Sequence, residues 1–245
     1  MHGQQKGDAT LKKELSPILD DAGLNLSAVF NIQDLPVDVK SPILDVYANT
    51  YQQLIVFAHA GKKMWHALQD SPFQSVANPI DSFSCHAVQQ YFERELPGAS
   101  YEVIYPNEHQ IIPLQKLGTL AGWHHDSPFR IGINQEYGSW FAYRVVALAN
   151  TSLNPTQPMT SPSPCVSCID KPCIKDCPAD ALTCSNLSLQ TCINYRLEAN
   201  SQCQYTCLSR ITCPIAQEHR YSKEQIKYHF TVSLNTISEL SSTIG

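Results

Sequence analysis

The chain has no long apolar run. Its longest candidate, Leu54 to Ala60, contains His59 and falls far short of the ~20 residues that a membrane helix needs. The opening Met1-His2-Gly3-Gln4-Gln5-Lys6 leads into no apolar stretch, so no secretory signal is expected there. Basic charge is not in excess either. The 17 Lys and Arg stand against 22 Asp and Glu, a formal net charge of −5, which gives no electrostatic footprint for nucleic acid. There is no Gly-rich phosphate loop, no Gly-x-Ser-x-Gly and no His-Glu-x-x-His, so P-loop and hydrolase chemistry find no support. These absences predict a soluble, cytoplasmic protein with neither nucleic acid nor membrane as partner. A hydrophobic content of 43% suffices for an ordinary core.

What the chain does have is cysteine. Nine of its ten cysteines fall between Cys165 and Cys213. The run reads Cys165-x2-Cys168-x4-Cys173-x3-Cys177-Pro178, then Cys184 and Cys192, then Cys203-x3-Cys207-x5-Cys213-Pro214. Dense disulfide frameworks belong to small secreted chains, which disfavours that reading. Structural zinc prefers paired Cys-x2-Cys units about 15–20 residues apart, whereas here four cysteines fall within thirteen residues. A cubane iron–sulfur cluster needs four thiolates, and short turns let one loop supply several. In such runs the cysteine followed by proline ligates the other cluster of a two-cluster module. Two Cys-Pro pairs therefore predict two 4Fe-4S clusters and single-electron chemistry. Zinc bound for structure alone is the bland alternative, told apart by metal and sulfide analysis.

Along the chain, residues 1–40 are weakly patterned, with a short helix expected over Leu11 to Leu19. Ser41-Pro42 reads as a helix start, since proline suits the first turn. Leu54 to Ala58 reads as a buried central strand and Lys62 to Leu68 as a short helix. Asn78-Pro79 opens the clearest helix, with Asn78 as cap and Ile80, Phe83, Ala87, Val88, Tyr91 and Phe92 on one face. Tyr101 to Tyr105 predicts a strand and Pro113 to Ala121 a helix. Phe129 to Asn134 and Phe141 to Ala149 predict an antiparallel pair. The proline-rich stretch 151–164 is expected to run extended over the surface. This gives an α+β domain over 1–150, a linker over 151–164, a cysteine module over 165–216 and a tail over 217–245 with a helix from Ser222 to about Phe230.

The cysteine module resembles that of epoxyqueuosine reductase, a cobalamin-dependent iron–sulfur enzyme related to reductive dehalogenases. Cys192-Ile193-Asn194-Tyr195 stands where that family shows Cys-Ile-Ser-Tyr. Pro113-Leu114-Gln115 through Ala121-Gly122-Trp123, then Gly138-Ser139-Trp140, follow the same order of motifs. Asn78-Pro79-Ile80-Asp81, Trp140 to Arg144 and Arg220 to Gln225 are also similar to the cobalamin-processing CblC family. The resemblance implies a nitroreductase-like α+β fold that binds a corrinoid, with a C-terminal two-cluster ferredoxin-like module. It implies that Cys165, Cys168, Cys173 and Cys213 hold one 4Fe-4S cluster and Cys177, Cys192, Cys203 and Cys207 the other. Trp123, Tyr137, Gly138, Ser139 and Trp140 would form the cofactor wall.

The chain departs from that pattern in places. The Cys168–Cys173 and Cys203–Cys207 gaps are longer than usual, and the second leaves Cys184 as an alternative ligand. Gln110, beside Glu108 and His109, replaces the family's general-acid aspartate. Glutamine has no proton to give in that role, so tRNA modification is not expected. The function implied is an oxidoreductase that passes electrons from an external single-electron donor, of ferredoxin or flavodoxin type, through two clusters to cobalamin. The acceptor chemistry would be reductive or cobalamin-processing, on a corrinoid or small-molecule substrate. A flavin-dependent reductase holding FMN in the same pocket is one alternative; a non-catalytic electron carrier or B12 chaperone is another. Cys85 is expected to be a small core residue and His124-His125-Asp126 a solvated loop.

Overall fold

The computed structural model describes residues 16–47, 50–107, 111–184 and 186–244. Gln110 and its neighbours Glu108 and His109 lie outside the described residues, as does most of the Leu11–Leu19 segment. The helix α1 is Pro17–Asp21, capped by the Ser16 side chain, which accepts from the Leu19 N–H.

The centre is a four-stranded antiparallel sheet in the order β1-β2-β4-β3, built from β1 (Leu26–Asn31), β2 (Gln53–Ala60), β3 (Tyr101–Tyr105) and β4 (Phe141–Ala149). Every residue of β2 is buried, so both of its faces are covered, and this is why its sequence is a continuous apolar run. Alternate side chains serve two separate cores. Leu54, Val56 and Ala58 face α2 (Val37–Leu44) and α5 (Leu114–Leu120). Ile55 and Phe57 face α3 (Lys63–Gln69) and α4 (Pro79–Glu95). Phe57 is 1% exposed. Phe57→Ala should lower stability by about 3–5 kcal/mol, measured by chemical denaturation, because a cavity opens between sheet and α4.

Several expectations are corrected. Helix α2 starts at Val37, after Pro36, and Pro42 sits inside it, not at its start. The buried Val39 and Ile43 hold the helix down despite the missing proline N–H. Strand β1 went unpredicted because its burial does not alternate. Asn78 occupies the N-cap of α4 but makes no side-chain cap bond. Phe129 to Asn134 is not a strand beside β4. It makes only isolated bridges, His125 with Ile133 and Asn134 with Gly138. Strand β4 already has β2 on one side and β3 on the other, so it has no free edge to offer.

The 151–164 stretch carries no regular structure until α6 (Pro164–Ser167), yet it is tied to the body. The Thr156 N–H donates to the Val29 carbonyl and the Thr156 hydroxyl accepts from the Val29 N–H, which covers the outer edge of β1. The Met159 N–H donates to the Ala121 carbonyl. After the cysteine module, a single long helix, α10 (Lys223–Ile244), runs well beyond the expected end at Phe230. No described helix is long and apolar enough to cross a membrane.

Candidate functional site

The module between the sheet and α10 is built of short helical pieces: α6, α7 (Pro172–Lys175), α8 (Leu189–Leu197) and α9 (Leu208–Ile211). Of the four described non-glycine residues with positive φ, three are here: Lys171, Asp180 and Ala216. Left-handed backbone costs about 1–2 kcal/mol per such residue, so the loops are held by more than local preference. Phe129, Ile133 and Leu182 form a small apolar cluster with Cys173 and Cys213.

The cysteines fall into two groups by their mutual influence. Burial, then the thiols of Cys213, Cys165 and Cys168, push Cys173 up to about 11. Cys165 is raised by burial and then by Cys213 and Cys168, and Cys213 by burial and then by Cys168. In the second group, burial and then Cys203 and Cys192 push Cys207 up to about 11. Cys192 is raised by burial and then by Cys177 and Cys203, and Cys203 by burial and then by Cys177. These influences link Cys165, Cys168, Cys173 and Cys213 with one another and Cys177, Cys192, Cys203 and Cys207 with one another, although Cys177 also packs in the apolar cluster that holds Cys165, Cys173 and Cys213. Cys184 is exposed. Cys85 packs on α4 against the sheet, its thiol pushed up to about 11 by burial and then by Asp81. Among the described residues no three ligating side chains meet at one point as a single ion would require. The raised thiols of Cys165, Cys173, Cys192, Cys203, Cys207 and Cys213 are neutral at pH 7, and a cation binding there must expel protons.

The module meets the α+β body at Gly138, Ser139 and Trp140. Gly138 has φ +57, and a Cβ there would stand 2.5 Å from the Ile215 carbonyl oxygen, so only glycine lets the two backbones approach. The buried Arg210 guanidinium donates to the Ser139 carbonyl and, through Nε, to the Ser139 hydroxyl at 3.3 Å. It lies 4.4 Å over the Trp140 ring and 5.2 Å over the Tyr221 ring. Trp123 is buried in the core and stacks on Tyr143 with centroids 6.5 Å apart. Tyr137 is half-buried and its ring meets His219 edge-on at 5.0 Å. None of the five cavities described is lined by these five residues. The largest, of about 720 Å³, lies between Ile32 and Thr151, away from the cysteines.

His124 is not in a solvated loop. It is 8% exposed, packed over Gly132 and 3.4 Å from the Tyr143 hydroxyl, while Asp126 stays in solvent 3.8 Å from its Nε2.

The fold is shared with epoxyqueuosine reductases. The Streptococcus thermophilus enzyme superposes with a TM-score of 0.51 at 14% identity, over 82% of this chain and 64% of that one. The Bacillus subtilis enzyme gives 0.52 at 12%, over 84% and 66%. A C. elegans B12-trafficking protein, CblC, is more distant, with a TM-score of 0.45 at 15% identity over 84% of each chain. The chain spans somewhat less than two thirds of the length of the first two enzymes. No protein-family model and no curated protein sequence matches the chain.

Beside the module, the sheet carries a buried polar knot that sequence reading passed over. His59 is fully buried on β2, and its Nδ1 accepts from Arg144 Nε at 2.9 Å. Its ring stacks on Tyr221 at 5.5 Å, and Tyr221 lies 5.8 Å from His229. Burial, then Arg144 and Arg210, pushes His229 down to about 3. Burial, then Arg144, His229 and Arg210, also holds His59 well below its ordinary value. Below about pH 6.5 the unfolded chain takes up these protons while the folded chain refuses them. Stability should therefore fall as pH drops from 6.5 toward 3, by about 1.4 kcal/mol per pH unit per histidine. His229→Gln should flatten that slope in denaturant melts run across the window.

Proposed function

We propose that this chain is an iron–sulfur oxidoreductase in which two 4Fe-4S clusters pass single electrons to a corrinoid carried by the α+β body. What supports the reading is the run of nine cysteines with its two Cys-Pro pairs, together with the mutual influences that link eight of them into two sets of four. Each combines cysteines from separate segments, and in each the residue before a proline joins the other run's set. That interleaving suits two cubanes side by side. The donor chemistry also fits: six of the eight thiols, Cys165, Cys173, Cys192, Cys203, Cys207 and Cys213, are raised chiefly by burial, a cost that binding a cationic cluster core would relieve. Bound clusters supply reversible one-electron transfer. The residues of this chain supply the cage, the exclusion of water by Phe129, Ile133 and Leu182, and two cations, Arg196 beside the second group and Arg210 near Cys207 and Cys213.

The corrinoid half rests on the order of sequence motifs and on the fold shared with epoxyqueuosine reductases. Gly138, Ser139 and Trp140 are committed to the module interface. The test is anaerobic purification with iron, sulfide and cofactor analysis, followed by cobalamin titration. About eight irons and eight sulfides per chain are expected, together with a shifted corrinoid spectrum. Iron-free protein overturns the cluster reading. Intact clusters with an unchanged corrinoid spectrum overturn the cobalamin reading, and co-purified FMN would replace it with the flavin one.

A further inference from the structure

Arg196 lies on α8, one turn beyond Cys192, and is only 8% exposed. Its nitrogens are fully directed. Nε donates to the Cys203 carbonyl at 3.2 Å, and one terminal nitrogen to the carbonyls of Gln204 at 3.3 Å and Phe230 at 3.0 Å. The other donates to the Ser233 hydroxyl at 2.9 Å. The guanidinium also sits 5.0 Å over the Phe230 ring. Among the described residues, no carboxylate forms an ion pair with it. The acidic groups that face it are the thiols of Cys192, Cys207 and Cys203.

A guanidinium stays charged at any accessible pH, and a charge buried without an opposite partner is strongly destabilising. Neutral carbonyls and a hydroxyl satisfy its hydrogen bonds but leave its charge. A four-thiolate cluster at the second group would carry the missing negative charge. The first group is differently served: its neighbouring cations, Lys171 beside Cys165 and Arg220 beside Cys213, are both partly exposed. Arg210 stands near Cys207 and Cys213 alike, so it does not separate the two groups.

We propose that Arg196 is the fixed counter-charge of the second cluster, raising that cluster's reduction potential selectively and tying the cluster to α10 through Phe230 and Ser233. The inference rests on the two-cluster reading above. A nearby fixed cation stabilises the reduced, more negative form of a cluster, and burial limits the screening of that effect. Arg196 is thus a positioning and tuning residue, not one that touches a substrate.

The test is an anaerobic redox titration of the full chain followed by electron paramagnetic resonance, with Cys192→Ser used to assign the second signal. In Arg196→His the second midpoint should match wild type at low pH and fall as the imidazole loses its proton, while wild type shows no such step. Arg196→Gln, which keeps donors without charge, should lower the second midpoint at every pH and leave the first unmoved. Arg196→Lys should restore most of it. A flat profile in the histidine variant, or equal movement of both midpoints in the glutamine variant, overturns the proposal. Two intact clusters with unmoved potentials sink this inference alone; a chain that binds no cluster sinks the reading beneath it.

Discussion

A double variant, Cys165→Ser with Cys213→Ser, is expected to keep about half of the iron, close to four per chain where wild type holds about eight. On the proposed ligation both residues hold the same cluster, so the second cluster would keep all four of its ligands. If each run held its own cluster, the same two substitutions would strike both, and the iron would be lost entirely. The reciprocal double variant, Cys165→Ser with Cys177→Ser, should lose both clusters, although its two cysteines share one run. Cys184→Ser should change nothing, since that thiol is exposed. Iron and sulfide per chain, measured on anaerobically reconstituted protein, decide between the two ligation schemes. The loss should also be structural. Among the described residues of 165–216, the buried hydrophobics other than cysteine are Ala181 and Leu182, so on the proposed reading cluster bonding would supply much of the module's folding free energy. Stripping both clusters with a chelator and oxidant should therefore loosen the module while the sheet persists, visible as hydrogen exchange rising first over 164–216.

How much of this was legible beforehand follows from the range of each interaction. Strand β2 announced itself because burial on both faces leaves an unbroken apolar run. Helix α4 did so through the spacing of Ile80, Phe83, Ala87 and Val88. Strand β1 gave no such sign, since its burial does not alternate. The density and spacing of the cysteine run were legible, while its division into two ligand sets was only what the resemblance implied. What spacing could not show was the polar support around them. Arg210 meets Ser139 across 71 residues of chain, and Arg144 meets His59 across 85. Nothing local marks a surface-type residue such as arginine as buried, and only the assembled fold does so. The supposed cofactor wall shows the same limit. Gly138 looked like a turn glycine, and it is one, but its missing Cβ also admits the Ile215 carbonyl from the far side of the module.

Arg210→Ala is expected to be the most damaging single substitution outside the cysteines and the apolar core. The side chain is 9% exposed and joins three parts of the chain: α9, the Ser139–Trp140 turn before β4, and Tyr221 ahead of α10. Burial holds its pKa below the ordinary value, with Tyr221 and Cys207 opposing that shift. Removing it deletes the donors to Ser139 and the stacking on Trp140, and leaves a void among Trp140, Tyr221 and Ile226. A lost charged hydrogen bond with its stranded carbonyl and a lost buried cation–π contact together come to about 3–5 kcal/mol. The free energy would be lost where the module and α10 dock on the body. Hydrogen exchange should accordingly accelerate in α9 and α10 before it does so in β2 and β4, whose apolar packing lies in clusters other than that of Trp140, Tyr221 and Ile226. Arg210→Lys, which keeps the charge but not the planar fork, should recover only part of the loss. A uniform loss of protection across sheet and module would show instead that the body and module unfold as one unit, and that Arg210 is not a joint between them.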